Sequence, residues 1–227
     1  MKYVGKELEN FDKAKIWRKY THFHVKKYIK FPILEIGAGI GSFTKNYYSY
    51  SKKIILTELD NENYHILKKK FLKYKNITVF KKKIFNFQKK FSSIIYMNVL
   101  EHIKDDYKEI NEALKKLEIN GYLIILVPAH NQLYSSFDKA VGHYRRYNIE
   151  FFKNLKLKNG KITKLIYLDF IGLILYYLNY LLPSKTYPSK FKIQIWDKIF
   201  TPLTFIIDFI TNYKFGKNII CVIKKIN

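Results

Sequence analysis

Apolar residues fall into short unbroken runs, separated by longer stretches in which they recur every three or four positions. The runs, bounded by turn residues, predict buried strands at Ile33–Ile36, Lys53–Thr57, Ile77–Phe80, Ser92–Met97 and Gly121–Pro128. Between them the period predicts helices from Ser42 to about Tyr50, over Asn61–Tyr74 and over Asp105–Leu117. Strands and helices alternating in this way form βαβ units, hence a parallel sheet with helices on both faces. The expected fold is α/β, Rossmann-like and doubly wound.

The flanks break this rhythm. Phe11, Ile16, Trp17, Tyr20, Phe23 and Tyr28 recur near helical spacing among lysines, predicting a helical lead-in that Pro32 stops. After the fifth strand a polar, aromatic loop runs from Ala129 to Tyr147, followed by a helix over Ile149–Leu155. Further strands are expected at Lys161–Asp169 and Asn218–Lys225. An apolar, aromatic insertion lies between them, from about Ile171 to Thr211, broken at Pro183, Pro188 and Pro202. The reading is a single domain over residues 1–227: helical cap 1–30, core 31–170, helical insertion 171–211 and last strand 212–227.

Composition narrows the classes. The chain has 227 residues, 48% hydrophobic and 18% aromatic, enough to bury a substantial core, which excludes general disorder. The single cysteine, Cys221, excludes a disulfide framework and an all-cysteine metal knuckle, and it fits a reducing compartment. Lys and Arg total 42 against 18 Asp and Glu, a net charge of +24 that raises nucleic acid and anionic membrane as partners. Yet only Arg18, Arg145 and Arg146 are arginines, and phosphate readers favour the bidentate guanidinium. Lysine spread end to end, beside abundant Ile, Asn, Phe and Tyr, reads as the composition of an A+T-rich genome.

Met1–Asn10 mixes charges and lacks the apolar segment of a secretory signal, so a cytoplasmic location is expected. Leu165–Leu182 is mostly apolar, but Asp169, Gly172 and Asn179 interrupt it. A spanning helix needs about 20 apolar residues, so an interfacial or core helix is expected there, with peripheral membrane contact an alternative.

The first strand runs into Gly37-Ala38-Gly39-Ile40-Gly41. In an open parallel sheet the ligand sits beyond the carboxyl ends of the strands, at the switch point, and glycines let the backbone approach it. Ser42 stands where a dinucleotide loop has its third glycine, and no Gly-Lys-Ser/Thr follows, which excludes a P-loop. Glu58 lies 21 residues after Gly37 and can accept hydrogen bonds from both hydroxyls of a ribose.

Leu34-Glu35-Ile36-Gly37-Ala38-Gly39-Ile40-Gly41 resembles the first motif of class I S-adenosylmethionine-dependent methyltransferases, here of the bacterial small-molecule and glycan type. Thr57-Glu58-Leu59-Asp60 resembles their ribose-binding motif, Asn98-Val99-Leu100-Glu101-His102-Ile103 their segment after strand four, and Gly121–Pro128 their strand five. The resemblance implies a seven-stranded sheet with its last strand antiparallel, and S-adenosylmethionine as cofactor. It implies that Gly37, Ala38, Gly39 and Gly41 form the cofactor loop, with Glu35 near the ammonium and Glu58 and Leu59 at the ribose. Asn98 and Val99 then lie beside the sulfonium. The family's Gly-Asp-Ala after strand three is replaced by Lys82-Lys83-Ile84, leaving the backbone of Ile84, packing by Phe85 or the amide of Asn86 for the adenine.

A hydroxyl acceptor needs a general base or a metal to take its proton. Glu101 and His102 resemble part of a Glu, Glu, His set that holds a divalent ion in ubiquinone-pathway O-methyltransferases, but Asn98 occupies the first place, so no metal is expected. His143, in the loop after strand five, is a candidate base, and Arg145 or Arg146 could clamp an anionic acceptor, with Arg145 the one chosen. His22, His24 and His130 are the other histidines weighed, the first two as packing residues. The expected activity is O-methylation of a small-molecule, glycan or lipid-linked acceptor. RNA is less favoured, because Asn98-Val99-Leu100-Glu101 replaces the Asn-Leu-Pro-Tyr of RNA adenine dimethyltransferases. A binding module without activity is the remaining alternative. The insertion and lead-in are expected to cap the active site, their aromatic and lysine residues offering a membrane contact.

Overall fold

The computed structural model describes residues 7–48, 52–181 and 189–227. Seven strands, β1 (Ile33–Ile36), β2 (Ile54–Thr57), β3 (Ile77–Phe80), β4 (Phe91–Met97), β5 (Leu117–Pro128), β6 (Gly160–Leu168) and β7 (Asn218–Lys225), form one sheet. Its order is β3-β2-β1-β4-β5-β7-β6, parallel except for β7, which runs antiparallel to both β5 and β6. The expected seven-stranded sheet with an antiparallel last strand is therefore present.

Strand side chains alternate between faces, and each face carries its own core. Leu34, Ile94, Ile125 and Ile219 meet Ile110 and Leu114 of α4 (Asp106–Lys115) and Phe152 of α6 (Ile149–Lys153). Ile33, Leu56, Ile124 and Val222 meet Trp17 and Tyr20 of α2 (Lys15–Val25) and Leu67 and Phe71 of α3 (Asn61–Phe71). Both faces of β1, β2 and most of β7 are buried, which explains why these strands read as unbroken apolar runs.

The stretch expected as a helix from Ser42 to Tyr50 is, within the described residues, a short 3₁₀ turn at Thr44–Asn46. Phe43 and Tyr47 are buried there, and Thr, Asn and Tyr are weak helix formers. Residues 49–51 lie outside the described part.

The lead-in and insertion pack together as a cap. It comprises α1 (Glu7–Phe11), α2, α7 (Phe170–Leu181), α8 (Lys190–Ile195), a π-helical turn (Trp196–Phe200) and α9 (Thr201–Ile210). Polar groups from distant sequence hold it. The start of α2 has no capping side chain of its own; Asp197 instead accepts from the backbone N–H of Ile16 (3.1 Å) and Trp17 (2.8 Å). Asp208 accepts from the N–H of Asp169 (2.8 Å) and Phe170 (2.9 Å) and from the Tyr20 hydroxyl (2.9 Å), tying α9 to the first turn of α7 and to α2. Asp169 thus ends β6 rather than interrupting a longer helix. Among the described residues, no helix is long and apolar enough to cross a membrane.

Candidate active site

The sheet reverses direction of winding between β1 and β4, and the ends of these two strands open into a cavity of about 1900 Å³. Ordinary small-molecule sites reach about 1,000 Å³, so the space accommodates a cofactor and an acceptor together. The cap roofs it with Leu8, Phe11, Trp17, Ile193, Trp196 and Phe200.

The glycine loop forms the floor. Gly37 has φ +62°, and a Cβ there would lie 2.8 Å from Val99, so backbone from β1 and the segment after β4 approach as only glycine permits. Gly41 has φ +72° and turns away from the cavity, where a Cβ would meet the Phe71 ring at 2.5 Å. Gly41 therefore serves the docking of α3, and the cavity wall is made by Gly37, Ala38, Gly39 and Ile40.

Glu35 is buried on the cavity side of β1, where it accepts from the Thr44 hydroxyl (2.6 Å) and from Tyr47. Burial pushes its carboxyl up to about 7, against the lowering effect of those two bonds. Its carboxylate braces the turn that carries the loop. Glu58, at the end of β2, accepts from Gly39 N–H (2.9 Å) and, through its other oxygen, from Leu59 (2.7 Å) and Asp60 (2.8 Å). Burial raises its carboxyl, and these backbone bonds oppose that rise. Glu58 thus links β2 to the glycine loop while Glu58 and Leu59 line the cavity. A carboxylate has about four lone-pair sites, so acceptor capacity remains for a ribose.

Asn98, with φ 55° at the end of β4, and Val99 also line the cavity. After β3, the wall is made by Lys82, Lys83 and Phe85. The Ile84 side chain is fully buried in the core instead, so only its backbone is left for a ligand. The residues present fit S-adenosylmethionine: a floor without side chains at Gly37 and Gly39, and acceptor oxygens at the end of β2.

Opposite the loop lies a connected polar group that includes the segment after β5. Ser135 and Asp138 form a capping box at the start of α5 (Ser136–Val141), and Asp138 accepts from Ser135 N–H at 2.8 Å. Asp138 also pairs with His143 Nδ1 (2.8 Å) and accepts from Arg146 Nε (2.9 Å). Burial alone would raise the Asp138 carboxyl, but the bonds from His143 and Arg146 outweigh it and hold it well below the usual carboxylate range. An ionised carboxylate only accepts, so His143 Nδ1 carries a proton and Nε2 is the nitrogen left to accept one. Nε2 lies 4.0 Å from Glu101 Oε1. Glu101 is fully buried, neither of its oxygens has a hydrogen-bond partner, and burial pushes its carboxyl up to about 7.

His102 meets His143 edge-on, ring centroids 4.6 Å apart, and its Nδ1 faces the Gly142 carbonyl at 3.3 Å. Burial and the neighbouring His143 lower His102 to about 4, keeping it neutral. One donor atom each from Glu101, His102 and His143 lie within 4.8 Å of one another, a set that could also hold a divalent ion.

The two adjacent arginines part company. Arg145 points away from the cavity, binding Asp106 (3.0 Å) and the Lys104 carbonyl (2.7 Å). Arg146 is the one on the cavity wall, buried, stacked over the Tyr176 ring at 4.2 Å, with Nη1 unpartnered. Arg146, and not the expected Arg145, is therefore the arginine placed to meet an anionic acceptor. His130 stacks on Tyr167 and bonds the Gly216 carbonyl (2.9 Å), away from the cavity. His24 is buried against Tyr20 and Tyr213, as packing. Sequence reasoning missed Tyr176 of α7, which donates to Ser135 Oγ (2.9 Å) and locks the cap to this loop. The Ser135-x-x-Asp138 box was the available signal for Asp138 as an organising group.

Comparison with known proteins agrees with this geometry. A model of the ribosomal RNA adenine dimethylase family matches residues 19–120, which carry the glycine loop, Glu58 and the end of β4. The chain is a class I S-adenosylmethionine-dependent methyltransferase. Solved methyltransferases share the fold. Coclaurine N-methyltransferase, bound to N-methylheliamine and SAH, superposes with TM-score 0.65 at 11% identity, over 99% of this chain and 83% of that one. The N-methyltransferase NodS from Bradyrhizobium japonicum WM9, with S-adenosyl-L-homocysteine, gives 0.56 at 11%, over 91% and 83%. A putative sarcosine dimethylglycine methyltransferase from Galdieria sulphuraria gives 0.61 at 12%, over 94% and 84%. No curated protein sequence matches the chain. At such identities the likeness speaks for the fold, and the methyltransferase's acceptor has to be argued from its own cavity.

Proposed function

We propose that this methyltransferase O-methylates a small-molecule, glycan or lipid-linked acceptor, with His143 as general base. The observation that carries the reading is the Asp138–His143 pair, which leaves Nε2 as the proton-accepting nitrogen in a cavity roomy enough for two ligands. S-adenosylmethionine, when bound, supplies an electrophilic methyl group on a sulfonium. Gly37, Ala38, Gly39, Glu58, Leu59, Asn98 and Val99 would hold it, with Phe85 packing beside the adenine. His143 then takes the acceptor's hydroxyl proton, Asp138 fixes the ring in the required tautomer, and Glu101 stabilises the imidazolium. Arg146 Nη1, unpartnered at the wall, offers a donor to an acceptor oxygen.

His143→Gln should lower kcat about 10²- to 10⁴-fold with unchanged cofactor affinity by calorimetry. A chelator should leave the wild-type rate unchanged. Loss of activity on chelation, restored by a divalent ion, would replace the base with an ion at Glu101, His102 and His143. Tritiated methyl transfer into fractionated cell extract identifies the acceptor. The family match over residues 19–120 favours RNA as a second reading, which label following RNA would establish.

A further inference from the structure

Helix α9 is built inside out. Its buried stripe is polar: Thr201, Thr204 and Asp208 are all 0% exposed. Its outer stripe is apolar, with Leu203, Ile206 and Ile210 at helical spacing and Phe209 beside them, Phe209 73% and Ile210 70% exposed. The inner polar groups are committed to the cap: Asp208 to α7 and Tyr20, Thr204 to Asp169. Among the described residues nothing removes the outer groups from water. The neighbouring α7 repeats the arrangement, with Leu175 and Tyr176 on the cavity and Ile174, Tyr177 and Leu178 exposed.

Charge identifies the occupant. Over residues 189–217 the acidic side chains are Asp197 and Asp208, both buried, whereas Lys190, Lys192, Lys198 and Lys214 are exposed. Over Phe170–Leu181 there is no charge at all. Apolar helix faces without charge, flanked in the chain by segments whose exposed charges are cationic, match an anionic bilayer surface, apolar side chains among the acyl chains and lysines at the headgroups. With no described helix able to span, the contact is in the plane of the membrane. We propose that α9, with the outer face of α7, is a monotopic docking surface for anionic bilayers. This inference does not depend on the acceptor or on methyl transfer.

Flotation of the full chain with phosphatidylcholine vesicles, with and without phosphatidylserine, tests it. The wild type should float with the anionic vesicles, less so as salt rises. Ile206→Glu/Ile210→Glu, at exposed positions, should lower the bound fraction about tenfold or more while keeping the wild-type melting temperature. Should that variant misfold, Phe209→Trp keeps the face apolar, and its emission should shift to the blue with anionic vesicles only. Three results overturn the proposal: wild type staying at the bottom with both lipids, the glutamate variant floating as the wild type does, or a wild-type dimer that the glutamates split without any lipid binding.

Discussion

At Asp138, one carboxylate serves Ser135, His143, Arg146 and Tyr176, and its replacement separates their roles. Asp138→Asn keeps the shape but can donate to His143 Nδ1, favouring the wrong tautomer. The expected result is a large loss of kcat, an altered acid limb in the pH–rate profile and little change in cofactor affinity. An unaltered pH profile with a proportionate loss of folded protein would make Asp138 structural only. That Arg146 rather than Arg145 faces the cavity was not legible in the sequence. Successive residues in a loop diverge in direction, and their backbone, tied by the Tyr144 N–H to the Glu101 carbonyl (2.8 Å), decides which is turned inward. The cofactor side was far more legible, because glycine at a close approach and an acidic residue closing a strand are constraints of backbone geometry.

Among elements, six strands are legible to within one residue at each end, β1 and β2 because burial on both faces leaves an unbroken apolar run, whereas β5 begins four residues before Gly121, at Leu117. The cap was read as helical and apolar but not as inverted. Periodicity finds the two stripes of a helix and is silent on which one faces the protein when polar groups of distant segments meet beneath it. Asp197 is such a group, lying 180 residues from Trp17, whose N–H it receives. Asp197→Ala leaves two N–H groups of α2 without a partner and should cost about 1–2 kcal/mol. Hydrogen exchange over Lys15–Val25 should quicken, and cofactor affinity should fall because Trp17 and Trp196 leave the roof. Unchanged exchange there would mean that the aromatic contacts alone hold α2.

For the whole molecule, two buried glutamates set a pH dependence of stability. Glu35 and Glu101 are pushed by burial from 4.5 up to about 7. The native state therefore binds their protons more tightly than the unfolded chain does, and their contribution to stability falls as pH rises through about 4.5 to 7, opposed by the contribution of His102, held at about 4, which rises toward 6.5. Each unit of difference is worth about 1.4 kcal/mol per group. Urea unfolding of the ligand-free protein should show the wild-type midpoint falling between about pH 5.5 and about pH 8 relative to that of Glu35→Gln. Glu101→Gln should diminish that difference while abolishing turnover. A pH dependence that neither glutamine replacement alters would mean that neither carboxylate is as dry as the fold implies.

The place of β7 has a bearing on how the chain is made. Among the described residues β6 pairs with β7 alone, and β7 also covers the outer edge of β5. Yet 49 residues, 169–217, separate β6 from β7 in the chain. At ordinary synthesis rates those residues take roughly 2–10 s to emerge. Through that interval β5 shows an open edge and β6 has no strand to join, and α9, made near its end, presents its apolar stripe before β7 has emerged. Open strand edges recruit other chains, so the nascent protein passes through a sticky stage that ends only when β7 threads between its two neighbours. A ribosome stalled just before Asn218 would release a fragment holding the cofactor loop, Glu58 and His143, but unable to close its sheet.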